Sequence, residues 1–310
     1  MTNKNDLPLV SIITPSFNQA EFIEETINSV LSQDYPNIEY LIVDGGSTDG
    51  TVETIRKYAD RLAWWVSEPD EGQSDAINKG IKRAKGEIIA WLNSDDIYLA
   101  GTIKKAVSAL TADPELGMVY ADQNSITANG KVFNTIRYKQ FELVDLLAMQ
   151  IIGQPTAFMR RGILKKAGEL SKDYSYLMDH HLWIRMFKQA GCKYVPNVWA
   201  SARFHSGAKN VGMAEGFVED AQKILSFVED NNELKRLIKE NRRYITAGQQ
   251  TFCAHYWLDS GKPGKALKSY WKAFTSKPGM ALKHWKRIMF SFFELIGFKF
   301  LRRTAYKDHE

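Results

Sequence analysis

Two adjacent carboxylates, Asp95 and Asp96, lie just beyond an apolar run at residues 88–92. A run of this kind is typical of a strand that is buried on both faces. Two like charges side by side raise each other's pKa unless a positive charge lies between them. The pair can therefore be a solvated strand end, or a site for Mg²⁺ or Mn²⁺, because these cations prefer carboxylate and phosphate oxygens.

A series of strand-like segments predicts the sheet that would position these acids. Helical patterns separate the predicted strands, which lie at residues 10–14, 38–44, 62–68, 87–92 and 117–122. Strands and helices that alternate at this spacing predict a parallel sheet covered on both faces. Asp44 and Asp95 each fall at the carboxyl end of a predicted strand, where ligands bind in such sheets. Two acids at separate strand ends can converge on one crevice, which favours a cation site.

The pattern changes after residue 122. Residues 154–161 predict a strand that runs into a helix, residues 179–191 an amphipathic helix, and residues 193–205 a strand-like segment. From about residue 214 the pattern is wholly helical and includes one helical hairpin that resembles a tetratricopeptide unit. A single unit of this type cannot form a solenoid, so we expect a helical appendage.

The composition of the 310 residues is that of an ordinary globular protein, with 44% hydrophobic and 25% charged residues. The two cysteines, Cys192 and Cys253, are far apart, which excludes a disulfide framework and a zinc site and is typical of a reducing cytosol. The first ten residues lack the pattern of a signal peptide, and no apolar run reaches the ~18 residues of a membrane span. We therefore expect a cytoplasmic protein.

The charge is unevenly distributed along the chain. Residues 231–310 contain 17 lysines and arginines against 6 acidic residues, whereas the first 230 residues contain 24 against 30. Within the basic part, residues 285–303 are aromatic and apolar with basic flanks. This pattern predicts a helix lying on an anionic membrane surface, at the inner face of the plasma membrane; the alternative is a helix packed on the core. No nucleic-acid recognition motif accompanies the charge, so we expect no nucleic-acid partner.

Six ordered blocks, spread over two thirds of the chain, resemble the family 2 glycosyltransferases. They are SIITPSFNQAEFIEETINSVLSQ, YLIVDGGSTDGT, SEPDEGQSDAINKGIKRAKGEIIAWLNSDD, GQPTAFMRR, MDHHLWIRM and RFHSGAKN. The resemblance implies a GT-A fold: an α/β, Rossmann-like mixed sheet flanked by helices, here with a C-terminal helical extension. We expect the transferase domain over residues 1–213 and the helical region over 214–310.

The resemblance also implies a reaction. A nucleoside-diphosphate sugar, by family habit UDP-linked, gives its glycosyl group to an acceptor hydroxyl with inversion, in surface polysaccharide or glycolipid synthesis. The leaving diphosphate needs a divalent cation, Mn²⁺ or Mg²⁺, and the acceptor hydroxyl needs a general base. We expect the donor, a glycan or lipid-linked acceptor, the cation and the membrane surface as partners.

On the donor side, Asp95 matches the last acid of the family's DxD-type motif and is implied to bind the metal. Asp96 either supports this site or caps the following turn. Asn93 stands where many relatives have Asp, and its amide can still hydrogen-bond a ribose. His205 matches a position near the diphosphate and metal, and Lys209 is a candidate for a phosphate contact.

Four further residues are implied to contact the nucleotide. Asp44 matches an acid that contacts the base or ribose, although the segment DGGSTDG can also be a simple turn with a helix cap. Thr14 and Pro15 are expected to border the base. Asp75 matches a nucleotide-proximal acid, and the alternative is a favourable charge in the first turn of a helix.

On the acceptor side, Asp179 matches the general base, with plain helix capping as the alternative. Relatives often carry Glu and Asp where this chain has Met178 and His181, which leaves His180 and His181 as possible helpers. Gln154 is expected to line the acceptor side, and Trp183 to face the acceptor. The tryptophans inside predicted strands, in contrast, are expected to pack in the core: Trp64, Trp65 and Trp91.

Two other functions compete with glycosyl transfer. A sugar nucleotidyltransferase uses a similar sheet and metal, but it usually needs a glycine-rich basic loop after the first strand, and here TPSFNQAEF follows without a glycine. A non-catalytic binding or scaffold protein derived from a transferase is the second alternative. The retention of both Asp95 and Asp179 disfavours it.

Overall fold

A computed structural model of the chain describes residues 7–205, 207 and 213–298. The chain forms two compact units. The first comprises Met1–Gln140, Ile152–Asp173 and Arg185–Arg203, and the second comprises Phe141–Ile151, Tyr174–Ile184 and Phe204–Glu310.

The first unit is built on a mixed sheet of nine strands within the described residues. The strands are β1 (Val10–Ser16), β2 (Ile38–Asp44), β3 (Trp64–Ser67), β4 (Ile88–Trp91), β5 (Ile97–Tyr98), β6 (Leu116–Thr127), β7 (Val132–Ile136), β8 (Phe158–Arg160) and β9 (Gly191–Phe204). Their order is β3-β2-β1-β4-β8-β6-β9-β5, with β7 paired to β6. The segments predicted as strands are all present.

The pairs among β1 to β4 are parallel, and β8 runs antiparallel to both of its neighbours, β4 and β6. The strands that were predicted to form a parallel sheet therefore run in one direction, with the antiparallel strand β8 inserted between β4 and β6, and the expected mixed sheet is confirmed. The regular alternation of strands with single helices ends after residue 122. β6 returns directly into the antiparallel strand β7, and only a parallel neighbour requires a long crossover connection.

Helices cover this sheet. In chain order the first seven helices are α1 (Ile23–Leu31), α2 (Thr51–Lys57), α3 (Gln73–Arg83), α4 (Thr102–Thr111), α5 (Leu143–Leu147), α6 (Arg161–Ala167) and α7 (Met178–Phe187). Short 3-10 turns occupy Ala59–Arg61 and Gln154–Thr156. α5 belongs to the second unit, as does α7 through Ile184.

The core of the first unit forms because α1 turns its apolar stripe onto strands that are buried on both faces. Ile23, Ile27 and Val30 of α1 are buried, and all four residues of β4 are buried, as the apolar run predicts. Gly80 lets α3 approach β1 closely: a Cβ there would lie 2.5 Å from Cγ2 of Ile13. This contact fixes the helix whose first turn carries Gln73 and Asp75.

The tryptophans behave largely as the pattern predicts. Trp91 is fully buried in the core. Trp65 is partly buried and packs against the core cluster, whereas Trp64 is partly exposed and carries the guanidinium of Arg83 over its ring at 5.2 Å.

The second unit is helical. Its remaining helices are α8 (Ala214–Asp230), α9 (Asn232–Asp259), α10 (Pro263–Ser276), α11 (Pro278–Leu282) and α12 (Trp285–Leu295). Asn231 caps α9 by accepting hydrogen bonds from the main-chain N–H groups of Glu233 and Leu234. Proline opens α10 and α11, where its missing N–H is tolerated. Among the described residues, the structure contains no helix long and apolar enough to cross a membrane.

Hydrogen bonds explain why residues 141–151 belong with the C-terminal helices. The Tyr244 hydroxyl donates to Asp145, and Gln249 Nε2 donates to the Leu147 carbonyl at 2.9 Å. Gly248 of α9 lies directly under α5, because a Cβ there would come within 2.1 Å of the Ala148 carbonyl oxygen. The domain boundary at residue 213 stays a prediction.

Candidate active site

The loop after β4 separates its two carboxylates into one that faces inward and one that is more accessible. The chain turns between Asn93 and Asp96, whose N–H donates to the Asn93 carbonyl at 3.1 Å. Asp96 is 4% exposed, and its oxygens accept from the Arg203 main-chain N–H at 2.9 Å and from Asn93 Nδ2 at 3.2 Å. Asp95 is only partly buried. Asp96 therefore supports the loop, and Asp95 is the carboxylate better placed for a ligand.

The side chain of Arg203 holds this loop from inside the unit. It is 1% exposed, its Nε donates to the Asp95 carbonyl at 2.9 Å, and one terminal nitrogen donates to the Ala128 carbonyl at 2.7 Å. Glu25 forms its ion pair, and the Phe22 ring lies 5.0 Å from the guanidinium carbon. Sequence reasoning missed Arg203. The available signal was an arginine within the apolar strand that leads to His205.

Burial and the neighbouring charge of Asp95 raise the pKa of Asp96 well above its usual value. Hydrogen bonds from Arg203 and Asn93 and the charge of Arg203 act in the opposite direction. An inward carboxylate with these partners is a poor cation ligand, because binding a cation would break its hydrogen bonds.

A divalent cation that is bound by protein alone needs several ligand side chains around it. Within the described ranges, no group of three or more His, Cys, Asp or Glu side chains could hold a metal ion. The described side chains therefore do not fit a cation that is held by protein ligands alone. They fit a cation that takes one carboxylate, Asp95, and completes its shell with diphosphate oxygens and water, the usual mode for Mg²⁺.

Two glutamines border the same loop. Gln73, at the start of α3, donates through Nε2 to Asn93 Oδ1 at 2.8 Å. Gln154 donates through Nε2 to the carbonyl of Trp91, the last residue of β4, at 2.8 Å. The Gln154 Oε1 atom is buried and has no hydrogen-bond partner among the described residues. Asn93, Asp95 and Gln154 therefore lie around the end of β4.

Asp44 lies at the end of β2 but points into the protein. It is fully buried and accepts hydrogen bonds from the N–H groups of Gly46 and Ser47 at 3.1 and 2.9 Å. The hydroxyls of Ser47 and Ser67 add bonds of 2.5 and 2.7 Å. These contacts close the turn that the alternative interpretation describes. The predicted contact of Asp44 with a nucleotide stays a prediction.

A second acid, Asp70, occupies the space beside Gly45 at this strand end. A Cβ on Gly45 would lie 2.7 Å from Oδ2 of Asp70, so only glycine leaves room for the carboxylate. Asp70 is partly exposed, and its Oδ1 accepts from the Gly72 N–H at 2.7 Å. Sequence reasoning missed this residue. The signal for it was the glycine that directly follows Asp44.

The other predicted nucleotide contacts have partners within the first unit. Thr14 is fully buried and shares a 3.0 Å hydrogen bond with the Tyr40 hydroxyl, and Pro15 is buried as well. Asp75 forms ion pairs with Lys172 at 2.7 Å and Lys79 at 3.5 Å. The hydrogen bond from Lys172 is the main cause of the lowered pKa of Asp75. The proposed contacts of these residues with a nucleotide stay predictions.

In the second unit, Asp179 lies in the first turn of α7 and is partly exposed. Its Oδ1 accepts from the His180 N–H at 2.7 Å. His180 is fully buried, and its Nε2 must donate to the Leu146 carbonyl at 2.9 Å because a carbonyl only accepts. Burial lowers the pKa of His180 to about 4. His180 is therefore a buried histidine that is neutral near pH 7, and its role as a helper to the base stays a prediction.

Two further side chains of α7 are interior residues. His181 is buried and packs against Tyr174, at 4.3 Å between ring centroids, and against the edge of Phe227 at 4.6 Å. Trp183 has no exposed surface. Contact between Trp183 and an acceptor stays a prediction, and it would require this fully buried side chain to repack.

His205 is partly exposed and directly follows β9. Lys209 lies outside the described residues. The roles predicted for both residues stay predictions.

Residues 11–168, just over half of the chain, match Glycosyl transferase family 2. The chain belongs to this family and is a glycosyltransferase, which confirms the resemblance of the six blocks.

Two curated relatives agree with this assignment. An uncharacterized glycosyltransferase of Rickettsia prowazekii is 29% identical over 85% of this chain and 83% of its own length. The putative teichuronic acid biosynthesis glycosyltransferase TuaG of Bacillus subtilis is 42% identical over 32% of this chain and 40% of its own length.

Two solved structures share the fold. TarS of S. aureus, residues 1–349 in complex with UDP-GlcNAc, has a TM-score of 0.62 at 17% identity and covers 90% of this chain and 92% of its own. The mannosyltransferase PcManGT of Pyrobaculum calidifontis, in complex with GDP-Man and Mn²⁺, has a TM-score of 0.61 at 21% identity and covers 96% and 90%. These likenesses confirm the GT-A fold.

Proposed function

We propose that this glycosyltransferase moves a sugar from a nucleoside-diphosphate donor to an acceptor hydroxyl with inversion, and that a divalent cation assists the reaction. The observation that carries the proposal is the partly exposed Asp95 at the end of β4, fixed through its carbonyl by the buried Arg203. A rigid loop with one accessible carboxylate is what a cation shared with a diphosphate requires.

The donor binds at the carboxyl ends of β2 and β4 in this proposal. Asp70 is the acid that meets the nucleoside, because it is partly exposed at this edge, whereas Asp44 is enclosed by its own loop. Asn93 supplies a second polar contact. UDP is the proposed nucleotide, supported by the UDP-GlcNAc complex of TarS. Because PcManGT binds GDP-Man, GDP is the nucleotide whose binding should be compared with that of UDP.

Asp95 would hold the cation, and the Mn²⁺ complex of PcManGT supports a metal in a protein of this fold. When bound, the cation supplies positive charge to the diphosphate that leaves. The contribution of the protein is to hold Asp95 in place, through the hydrogen bond from Arg203 to its main chain.

Asp179 is the proposed general base. Its carboxylate accepts the proton of the acceptor hydroxyl, and the acceptor oxygen forms a bond to the anomeric carbon. The bond from that carbon to the diphosphate oxygen breaks, and the electron pair leaves with the nucleoside diphosphate. Attack from the face opposite the leaving group inverts the anomeric centre. A carboxylate is suited to this role because it can take up one proton without further rearrangement.

The acceptor is proposed to be a growing surface polysaccharide or a glycolipid. The relative TuaG, named for teichuronic acid biosynthesis, supports this class. Gln154 is the proposed acceptor-side contact, because its partly exposed side chain lies beside Trp91, the last residue of β4.

Thermal unfolding with UDP, GDP, CDP or ADP, each with and without Mn²⁺, tests donor binding. A ligand at 100 times its Kd adds about 2.7 kcal/mol to the free energy of unfolding, which is readily measured. We expect one diphosphate to stabilise the protein, and Mn²⁺ to increase the effect in the wild type but not in Asp95→Asn. Release of pyrophosphate from a nucleoside triphosphate and a sugar 1-phosphate would instead identify a nucleotidyltransferase.

A further inference from the structure

The C-terminal helices present an unusual amount of exposed apolar surface. Nine of the twelve exposed large hydrophobic residues in the described part of the chain lie between residues 271 and 298. They are Trp271, Phe274, Leu282, Trp285, Met289, Phe292, Leu295, Ile296 and Phe298. Contiguous apolar surface of this kind marks an interaction site in a soluble protein, whereas single exposed residues do not.

Some of the exposed apolar residues form a stripe along α12. Trp285, Met289, Phe292 and Ile296 recur at intervals of three and four residues, so they share one face of the helix. Ile288 and Phe290 pack instead against a cluster of α9 and α10 that includes Leu258 and Tyr270. The helix is therefore packed on one side and exposed on the other.

Two more exposed aromatic residues lie on α10, a helix that contacts α12. Trp271 and Phe274 are exposed, and their rings stack at 5.9 Å between centroids. Gly264, at the start of α10, adjoins Leu295 of α12, since a Cβ there would lie 3.7 Å from Leu295 Cδ1. We name the exposed apolar residues of α10 and α12, with Leu282, Ile296 and Phe298, the aromatic face.

The charge around the aromatic face is strongly positive. Residues 263–298 contain seven lysines and arginines and a single acidic residue, Glu294. Lys283, Lys286 and Arg287 are exposed beside Trp285. A symmetric dimer would bring the same cations of two copies together, because a twofold interface pairs one surface with itself. An anionic partner with an apolar interior avoids this repulsion.

We propose that the aromatic face docks the protein on an anionic lipid bilayer surface, with the aromatic side chains at the level of the headgroups and the lysines on lipid phosphates. Aromatic and apolar residues on one helix face with basic residues around them are what an interfacial helix requires. Each basic residue near such a surface adds attraction that decays within a Debye length. This inference is independent of the proposed reaction.

Vesicle sedimentation with the full chain tests the proposal. The probe is a vesicle of about 30% phosphatidylglycerol in phosphatidylcholine, compared with pure phosphatidylcholine, at low and high salt. The apolar variant is Trp285→Ser with Phe292→Ser, and the charge variant is Lys283→Glu with Lys286→Glu. Val132→Ser is the matched control, because Val132 and Phe292 are both 49% exposed and Val132 lies on β7.

We expect the wild type and the control to bind anionic vesicles at low salt and to be released at high salt. Both double variants should lower the partition coefficient at least tenfold with an unchanged Tm, because the replaced side chains are exposed. Point variants are preferable to truncation, since removing α12 would also uncover Leu258 and Tyr270. Vesicle binding that the double variants leave unchanged would overturn the proposal. A vesicle-free dimer that the apolar variant dissociates would also overturn it and assign the face to a second copy of the chain.

Discussion

The buried guanidinium of Arg203 donates a 2.9 Å hydrogen bond from Nε to the main-chain carbonyl of Asp95. Arg203 also gives its own main-chain N–H to the carboxylate of Asp96. One residue of β9 thus fixes both members of the carboxylate pair that follows β4. The position of the accessible carboxylate is set by a strand that lies more than a hundred residues further along the chain.

Arg203 is a positioning residue, and Arg203→Lys should separate this role from its charge. Lysine keeps one positive charge but loses the planar fork that reaches several carbonyls at once. We expect turnover to fall by about tenfold or more, with a raised Mn²⁺ requirement, and Tm to fall by several degrees. Glu25→Gln is the control, because it weakens the ion pair and leaves the bond to Asp95 in place. Equal losses in the two variants would contradict a positioning role.

Asp95→Asn and Asp96→Asn should have opposite profiles. Asp95→Asn is expected to cut turnover by on the order of 10²-fold or more with little change in stability, as the loss of a key electrostatic partner can. Asp96→Asn would place an amide where a buried carboxylate accepts two hydrogen bonds, at a cost of about 1–3 kcal/mol. Urea denaturation and steady-state kinetics at saturating Mn²⁺ distinguish the two. Wild-type turnover in Asp95→Asn would refute its proposed role.

Asp179→Asn should suppress transfer while leaving donor affinity almost unchanged, because the base acts on the acceptor. Measurement of nucleoside-diphosphate binding and of transfer in the same preparation checks this. His181→Phe is the matched control. Phenylalanine preserves the ring packing against Tyr174 and Phe227 but cannot take up a proton. Activity within a few fold of wild type in Asp179→Asn, with loss in His181→Phe, would transfer the role to the histidine.

Asp70→Asn and Asp44→Asn test which acid at the end of β2 meets the nucleoside. Asp70→Asn should weaken nucleotide binding by about tenfold and change Tm little. Asp70 is partly exposed, and the amide oxygen of asparagine can still accept the hydrogen bond from the Gly72 N–H. Asp44→Asn should destabilise the fold by about 1–3 kcal/mol, because it disturbs a buried carboxylate with four donors.

Gly45→Ala provides an independent check on Asp70. The new methyl group would push the Asp70 carboxylate aside, and a flexible side-chain end can move at little cost in stability. Calorimetry should therefore show reduced nucleotide affinity with a nearly unchanged Tm. Normal affinity in both Gly45→Ala and Asp70→Asn would exclude Asp70 from the nucleoside contact.

The strand pattern predicted that Asp44 and Asp95 lie at the carboxyl ends of two strands of one sheet, which the structure shows for β2 and β4. Asn93 and Gln154 were implied only by the family resemblance. The same reasoning could not predict which carboxylates point inward. Asp44 and Asp96 resemble Asp70 and Asp95 in the sequence, and the difference arises from donors distant in the chain, such as Ser67 and Arg203. The antiparallel strand β8 was likewise invisible, because strand direction depends on long-range pairing and not on local periodicity.

The stability of the protein should depend on pH through two buried histidines, His180 and His255. Burial lowers the pKa of His180 to about 4, and burial with the charges of Arg287 and His284 lowers that of His255 to about 3, from an ordinary value of 6.5. The unfolded chain therefore binds protons more readily than the folded chain, and the stability contributed by the neutral histidines is complete above about pH 6.5. It is lost as the pH falls from there toward 4 and 3, by on the order of 1 kcal/mol per pH unit for each histidine.

Urea denaturation between pH 7 and 5 measures this slope before most carboxylates titrate. His180→Gln, whose amide can still donate to the Leu146 carbonyl, should have a shallower slope. The same pH slope in His180→Gln as in the wild type would show that His180 is not buried in the neutral form.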